Sequence, residues 1–469
     1  MRSSLKKIHF VGIKGVGQTA LAVYMKQKGI DVSGSDTNEI YHTDEILKKY
    51  TINVKAGFSP HNIPQNTDLI ITTGAHDSFN NPESLAGIRR GIRTITHGQA
   101  LGEEMKGKVG ISVAGTHGKT TTTSMIATIA KFANLDPSYV IGTASIPSLG
   151  AAGHYGRGNL FIAEADEYIT APNIDKTPRF LWQSPRVAII TSIEYDHPDA
   201  YQNIEEIEGA FFKFATKVSR KGLLILGIDD SNVLNLKKHL PKTIPTTSYG
   251  FSDKADYKIV DYKVSKKGIS FVVINKNLNL GEFNLQVPGT HNAQNATAAA
   301  VSALFFGLKL ETIKNALVKF SGSKRRFEKV GNLGNILLYD DYAHHPSEIE
   351  ATLKAFKDIY PNKRIMTIFQ PHTYSRTYAL FPDFVDSFLE IQGKIVVTDI
   401  FASKREKKDD KINAQKLVDE TRKKGKSNIF YFKTREEILL FLEKNKGKID
   451  IILTMGAGDI YKLHEYLKK

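Results

Sequence analysis

Short apolar runs recur along the whole chain, each ending on glycine, serine, threonine or an acidic residue and each followed by a longer stretch able to form a helix. Strands are predicted at Lys7 to Val11, Asp31 to Ser33, Leu69 to Thr72 and Arg93 to Thr96, then at Leu160 to Ala165, Val187 to Ile193 and Leu223 to Gly227. A last set falls at Ile336 to Tyr339, Arg364 to Phe369, Lys394 to Thr398 and Asp450 to Thr454. Apolar runs separated by helical stretches are the pattern of parallel sheets covered on both faces. The stretch from Tyr257 to Val287 lacks the helices and reads as a peripheral antiparallel sheet, closed by Pro288-Gly289 before an alanine-rich helix. A chain of 469 residues exceeds one ordinary core, and the runs divide into three α/β segments, 1–106, 107–322 and 323–469.

Composition narrows the chemistry. With 41% hydrophobic and 24% charged residues the chain reads as globular, and no apolar run approaches the roughly 20 residues that cross a bilayer. The absence of cysteine removes disulfides, thiolate metal sites and a cysteine nucleophile. A net charge of +15 favours anionic ligands. The basic residues are scattered, as in the lysine-rich turn 404–408, and form no aromatic-basic motif, so no nucleic-acid partner is expected. The opening Met1-Arg-Ser-Ser-Leu-Lys-Lys is followed by an apolar stretch that Lys14 interrupts. It reads as the approach to the first strand of a cytoplasmic protein with no membrane partner.

Four groups of residues carry candidate chemistry. Gly115-Thr116-His117-Gly118-Lys119-Thr120-Thr121 follows an apolar run and opens a helix. Backbone N–H groups in such a loop cradle phosphate, the lysine reaches the terminal phosphates and the following threonine is placed for Mg²⁺. Val113 stands where the commonest loop has another glycine. Acidic clusters Glu164-Ala-Asp166-Glu167 and Glu194-Tyr-Asp196-His197 end two strands of the same segment, as an oxygen-rich metal site on phosphate requires. The first segment carries Gly12, Gly15 and Gly17 in a βα turn with Ser35-Asp36 ending the next strand, a pattern that suits a diphosphate and sugar hydroxyls. The third segment contributes Lys324-Arg325-Arg326, Asp340-Asp341-Tyr342-Ala343-His344-His345 and Phe369 to Thr377. A guanidinium there can stabilise a transferring phosphoryl group, and a His/Tyr/Arg cluster can hold a small carboxylate.

Taken in order, GTHGKTTTTSM, EADE, IEYDH, PGTHNAQNA, GSKRRFE, DDYAHHPSEI, FQPHTYSRT and TMGAGDI resemble the motifs of the Mur ligases over the whole chain. The resemblance implies an α/β fold with a Rossmann-like N-terminal UDP-binding domain, a central P-loop ATPase domain and a Rossmann-like C-terminal domain. It also implies ATP as phosphoryl donor with Mg²⁺, or Mn²⁺ in its place. Lys119, His197, Arg326, Asp341 and His344 are then the catalytic set, and Thr120, Glu164 and His197 the metal ligands. The loop residues 115–121, with His291, Asn292, Asn295, Arg326 and Asp341, correspond to the ATP site. Gly12, Gly15, Gly17, Ser35 and Asp36 correspond to the UDP-sugar site, and Tyr342, His344, His372 and Arg376 to the amino-acid site. FQPHTYSRT and TMGAGDI are similar to the members that join L-alanine to UDP-N-acetylmuramate, as monomer or homodimer, in the cytoplasm. Glu167-Tyr168 is instead closer to those that attach the tripeptide L-Ala-D-Glu-diaminopimelate. Lys213 is the candidate for the carbamylated lysine some members carry. The third domain is expected to close over the phosphate loop.

Overall fold

The computed structural model describes residues 5–172, 174–402, 406 and 409–468. Residues 1–4 and most of the lysine-rich turn 404–408 lie outside the described residues.

Three sheets organise the chain. The first has five parallel strands in the order Asn53–Ala56, Asp31–Asp36, Lys7–Val11, Leu69–Thr72, Arg93–Thr96. Its order reverses beside Lys7–Val11, so the crevice at the carboxyl end of that strand is the natural ligand position. The third sheet has six strands, Glu328–Leu333 pairing antiparallel at one edge and five parallel strands following.

The central sheet has ten strands. Val109–Ala114, Leu160–Glu164 and Val187–Ile190 run parallel at its middle, and Val187–Ile190 is buried at every position because helices cover both faces. The antiparallel stretch expected at the periphery lies at one end of this sheet and is continuous with it. Tyr257–Ser265 pairs parallel with Thr246–Gly250 and then antiparallel with Gly268–Asn275, so the hairpins extend the main sheet.

Ser138–Ile146 and Gly150–His154 form the opposite edge, a pair without the helix-separated spacing used to predict strands. This edge receives helix Val16–Gln27 of the first domain. A Cβ on Gly153 would stand 1.7 Å from the Ala20 carbonyl oxygen, so only glycine permits that approach. Helix Val16–Gln27 is therefore buried between two sheets, and its burial from Gln18 through Met25 reflects both contacts. Helix Thr290–Phe305 packs on helix Lys119–Phe132, its run of alanines allowing the two backbones to come close. His42 of the first domain packs edge-on against Tyr461 of the third, their rings 5.7 Å apart, so the outer domains also meet. No helix among the described residues is long and apolar enough to cross a membrane.

Candidate active site

The strand Val109–Ala114 delivers the chain into Gly115, whose φ of +140° and a Cβ position 2.0 Å from Thr191 Oγ1 admit only glycine. Gly118 turns into helix Lys119–Phe132 at φ +80°, its missing side chain filled by the Asn295 amide. Asn295 also accepts from Thr122 Oγ1 (3.1 Å) and donates to Asn292 (3.3 Å). The expected ATP-side asparagines thus support the back of the phosphate loop, while His291 joins them in the cavity described below.

Lys119 Nζ donates to the Gly115 and Thr116 carbonyls and lies 2.9 Å from Glu167. Burial opposes its charge, but Glu167, Asp166 and Glu164 hold its pKa above the ordinary lysine value. Thr120 Oγ1 donates to Glu164 Oε2 at 3.0 Å, and the Gly142 N–H donates to the same oxygen at 2.9 Å. Burial raises the Glu164 pKa, which Lys119 only partly offsets. A buried hydroxyl and carboxylate converging beside a phosphate loop are hard oxygen donors, and they fit Mg²⁺. His197 stands in a different grouping from the one expected: its Nε2 is 3.3 Å from Glu167 and 3.6 Å from Asp196. Donor atoms of Asp166, Glu167 and His197 lie within 4.8 Å of one another. The expected metal set therefore divides into Thr120 with Glu164, and His197 with the two acids of the same EADE cluster. Lys213 is exposed on helix Ile204–Ala215 and contributes nothing to either.

A cavity of about 550 Å³ opens between the central and third domains. His117, Gly118 and Thr121 line it from the loop, His291, Asn292 and Asn295 from one side, and Arg326, Asp341 and Glu348 from the third domain. Arg325 and Arg326 are not an exposed basic pair. Arg325, with φ +60°, is buried against Asp340 (2.8 Å) and the Gly456 and Gly458 carbonyls, whereas Arg326 faces the cavity 3.5 Å from Glu348. Asp341 accepts from the Phe327 and Ala343 N–H groups, and burial pushes its pKa up to about 6 against the pull of Arg326.

The expected amino-acid residues do assemble. The rings of Tyr342 and His344 are 5.2 Å apart and those of His344 and His372 5.7 Å, and Arg376 Nη1 reaches His372 Nδ1 at 3.1 Å. Arg376 Nε also donates to Asp196 of the central domain at 2.7 Å. Burial by itself would raise the Asp196 pKa, but Arg376 and His197 hold it well below the usual carboxylate range. His117 and His345 pack with tilted rings whose centres are 4.8 Å apart, and His117 lies 3.5 Å from Glu194 and 3.2 Å from Glu348. Those carboxylates raise the His117 pKa well above the ordinary imidazole value, against the effect of burial. Sequence reasoning gave Glu167, Glu194, Asp196 and Glu348 no individual roles, although each lies inside a motif it had singled out.

At the first sheet, Gly12 has φ +76° and a Cβ would meet Thr73 at 2.6 Å. Gly15 caps helix Val16–Gln27 and Gly17 lies against His97. Asp36 accepts from the Lys14 and Thr37 N–H groups (2.8 and 2.7 Å). Ser35 is fully buried and donates its hydroxyl to Glu83, so its side chain supports the turn from below. Lys14 holds the following loop by donating to the Thr37 and Glu39 carbonyls (3.1 and 2.8 Å) and pairing with Asp44.

Fold and cavity together define the class: an enzyme with a phosphate loop whose reaction chamber is completed by a second domain. Models of the Mur ligase family, catalytic domain, of the Mur ligase middle domain and of the Mur ligase, glutamate ligase domain match residues 7–109, 113–303 and 325–458. The UDP-N-acetylmuramate--L-alanine ligase of Geobacter sp. (strain M21) is 37% identical over 465 residues, covering 99% of this chain and 97% of its own. That of Acetivibrio thermocellus is 39% identical over 471 residues, 100% of this chain and 96% of its own. The crystal structure of UDP-N-acetylmuramate-alanine ligase from Thermotoga maritima superposes with a TM-score of 0.79 at 27% identity, covering 98% of each chain. A murein peptide ligase from Psychrobacter arcticus shares the fold at 23% identity, with a TM-score of 0.74 over 99% of this chain and 98% of its own. The chain belongs to the Mur ligase family.

Proposed function

We propose that the protein joins L-alanine to UDP-N-acetylmuramate at the expense of ATP, through an acyl phosphate on the muramate carboxylate, in cytoplasmic peptidoglycan precursor synthesis. The observation that carries this reading is the cavity that brings His117 and Gly118 of the phosphate loop, His291 and Asn295, and Arg326 and Asp341 of another domain to one space. The full-length relatives named for alanine addition favour that acceptor over the tripeptide that Glu167-Tyr168 had kept open. In the structure Tyr168 instead hydrogen-bonds Asp199 at 2.6 Å and packs edge-on against His197.

A carboxylate is a poor electrophile, and its attack on a triphosphate brings two anions together. Lys119 and Arg326 supply the charge that offsets their repulsion, and both are already held in place by carboxylates that a phosphate replaces. Thr120 and Glu164 would hold Mg²⁺, with His197 and Glu167 beside them, and that ion supplies further neutralisation of the phosphate oxygens. The division at 106/107 and 322/323 assigns the UDP end to the Gly12–Gly17 turn and Asp36. It assigns the alanine carboxylate to Arg376 and His372.

Product mass analysis with ATP, Mg²⁺ and UDP-N-acetylmuramate, offered alanine, glycine, serine and the tripeptide together, tests the reading. The expected product is the alanine adduct, with ADP release dependent on both substrates. ADP release independent of either substrate, or a dominant tripeptide adduct, would overturn it.

A further inference from the structure

Glu348 lies in the first turn of helix Pro346–Ile359, one helical turn after His344. Its Oε2 accepts from the His344 backbone N–H at 3.0 Å and stands 3.1 Å from His344 Nδ1, and its Oε1 stands 3.2 Å from His117 Nδ1. His344 Nδ1 has one other neighbour, the Tyr342 carbonyl oxygen at 3.0 Å. A carboxylate and a carbonyl can only accept, so the proton of a neutral His344 must reside on Nδ1. Nε2 is then the bare acceptor, and among the described residues it has no hydrogen-bond partner. The ring stands between Tyr342 and His372, with Arg376 bound to the latter.

An amino acid at neutral pH arrives as an ammonium ion, which has no lone pair with which to attack. We propose that Glu348 is a positioning residue for amide formation: it fixes His344 with Nε2 free to take the proton of the incoming amino group. The inference rests on the ligase reading above. In the step itself, Nε2 accepts one proton from the ammonium and the freed lone pair forms the C–N bond at the acyl carbon. Collapse breaks the carbon–oxygen bond to phosphate, which leaves with the electron pair and takes the second amine proton, giving the amide and hydrogen phosphate. Burial lowers the His344 pKa despite the nearby Glu348, which favours the neutral imidazole that the step uses. Because the other Glu348 oxygen is engaged by His117 of the phosphate loop, the acceptor is aligned only while the third domain rests on that loop.

Hydroxylamine separates this role from a merely structural one, since it is largely unprotonated at neutral pH and attacks acyl phosphates without a base. In Glu348→Gln one end of the side chain becomes a donor, which cannot serve both His344 and His117. Its alanine turnover should fall about 10- to 100-fold. Hydroxamate formed from UDP-N-acetylmuramate and ATP should fall at least about threefold less than alanyl product, because the disturbance of Arg326, 3.5 Å from Glu348, is common to both activities and the disturbance of His344 touches the amine step alone. His344→Gln should give the same split, and Glu348→Asp should restore part of the alanine rate. An equal loss of both activities in Glu348→Gln and His344→Gln, or undiminished alanine turnover, would overturn the proposal. Failure of the ligase reading is recognised separately, because the wild-type protein would then form neither hydroxamate nor alanyl product.

Discussion

His117 occupies the phosphate loop one residue before Gly118 and is the cation shared by Glu194 and Glu348, which come from different domains. Burial alone would lower its pKa, but the hydrogen bonds and charges of those two acids push it up from 6.5 to about 10. A histidine whose folded pKa exceeds its unfolded value stabilises the fold fully below the unfolded pKa. The contribution shrinks as pH rises from 6.5 and is gone once pH passes about 10. Thermal melting from pH 6 to pH 10 is therefore expected to show wild type losing its advantage over His117→Asn as the solution becomes alkaline. A constant difference across that range would mean that His117 is neutral in the folded protein.

Elements carry the second domain's partnership with the first. Strand Gly150–His154 takes helix Val16–Gln27 against its backbone at Gly153, where a Cβ would overlap the Ala20 carbonyl. Gly153→Val must push the helix off the sheet, with a loss of about 1–3 kcal/mol or more in urea denaturation. UDP-sugar affinity should weaken with it, because the helix begins at the Gly15 cap of the turn proposed to hold the UDP end. Unchanged stability would show that the two domains do not rely on this contact. The strand pair that makes it was illegible in the sequence, since Ser138–Ile146 and Gly150–His154 are rich in small residues and lack the apolar density of Val187–Ile190. The parallel strands were legible for the opposite reason: buried on both faces, they are continuous apolar runs. The hairpin strands were also legible, but not their attachment, because Gly250 pairs with Lys258 in parallel across a short turn, without the helical crossover that parallel neighbours ordinarily need. At the site, loop residues such as Lys119 and Thr120 could be read from local spacing. Glu348 and Asp196 acquire roles only through partners such as Glu348 with His117 and Asp196 with Arg376, which no local pattern reports.

Across the whole molecule, Arg376 and Asp196 join the third domain to the central one through a buried ion pair 2.7 Å long, exposed by only 4% and 8%. The pair has two separable consequences. It docks one domain on another, and it leaves the guanidinium Nη1 against His372, in the pocket proposed for the amino acid. Removing one partner strands the other charge away from water, a loss on the order of 3–5 kcal/mol, whereas removing both charges avoids that penalty. Arg376→Ala should therefore enlarge the radius of gyration in small-angle scattering and raise the KM for alanine at least tenfold. The pair of changes Asp196→Leu and Arg376→Met should return the scattering profile to wild type, since apolar side chains of similar reach restore the contact. It should not restore alanine use, because no guanidinium remains to meet the carboxylate. If the double variant recovered both properties, Arg376 would be a docking residue alone; if it stayed expanded, the ion pair itself, and not its neutrality, would hold the domains together.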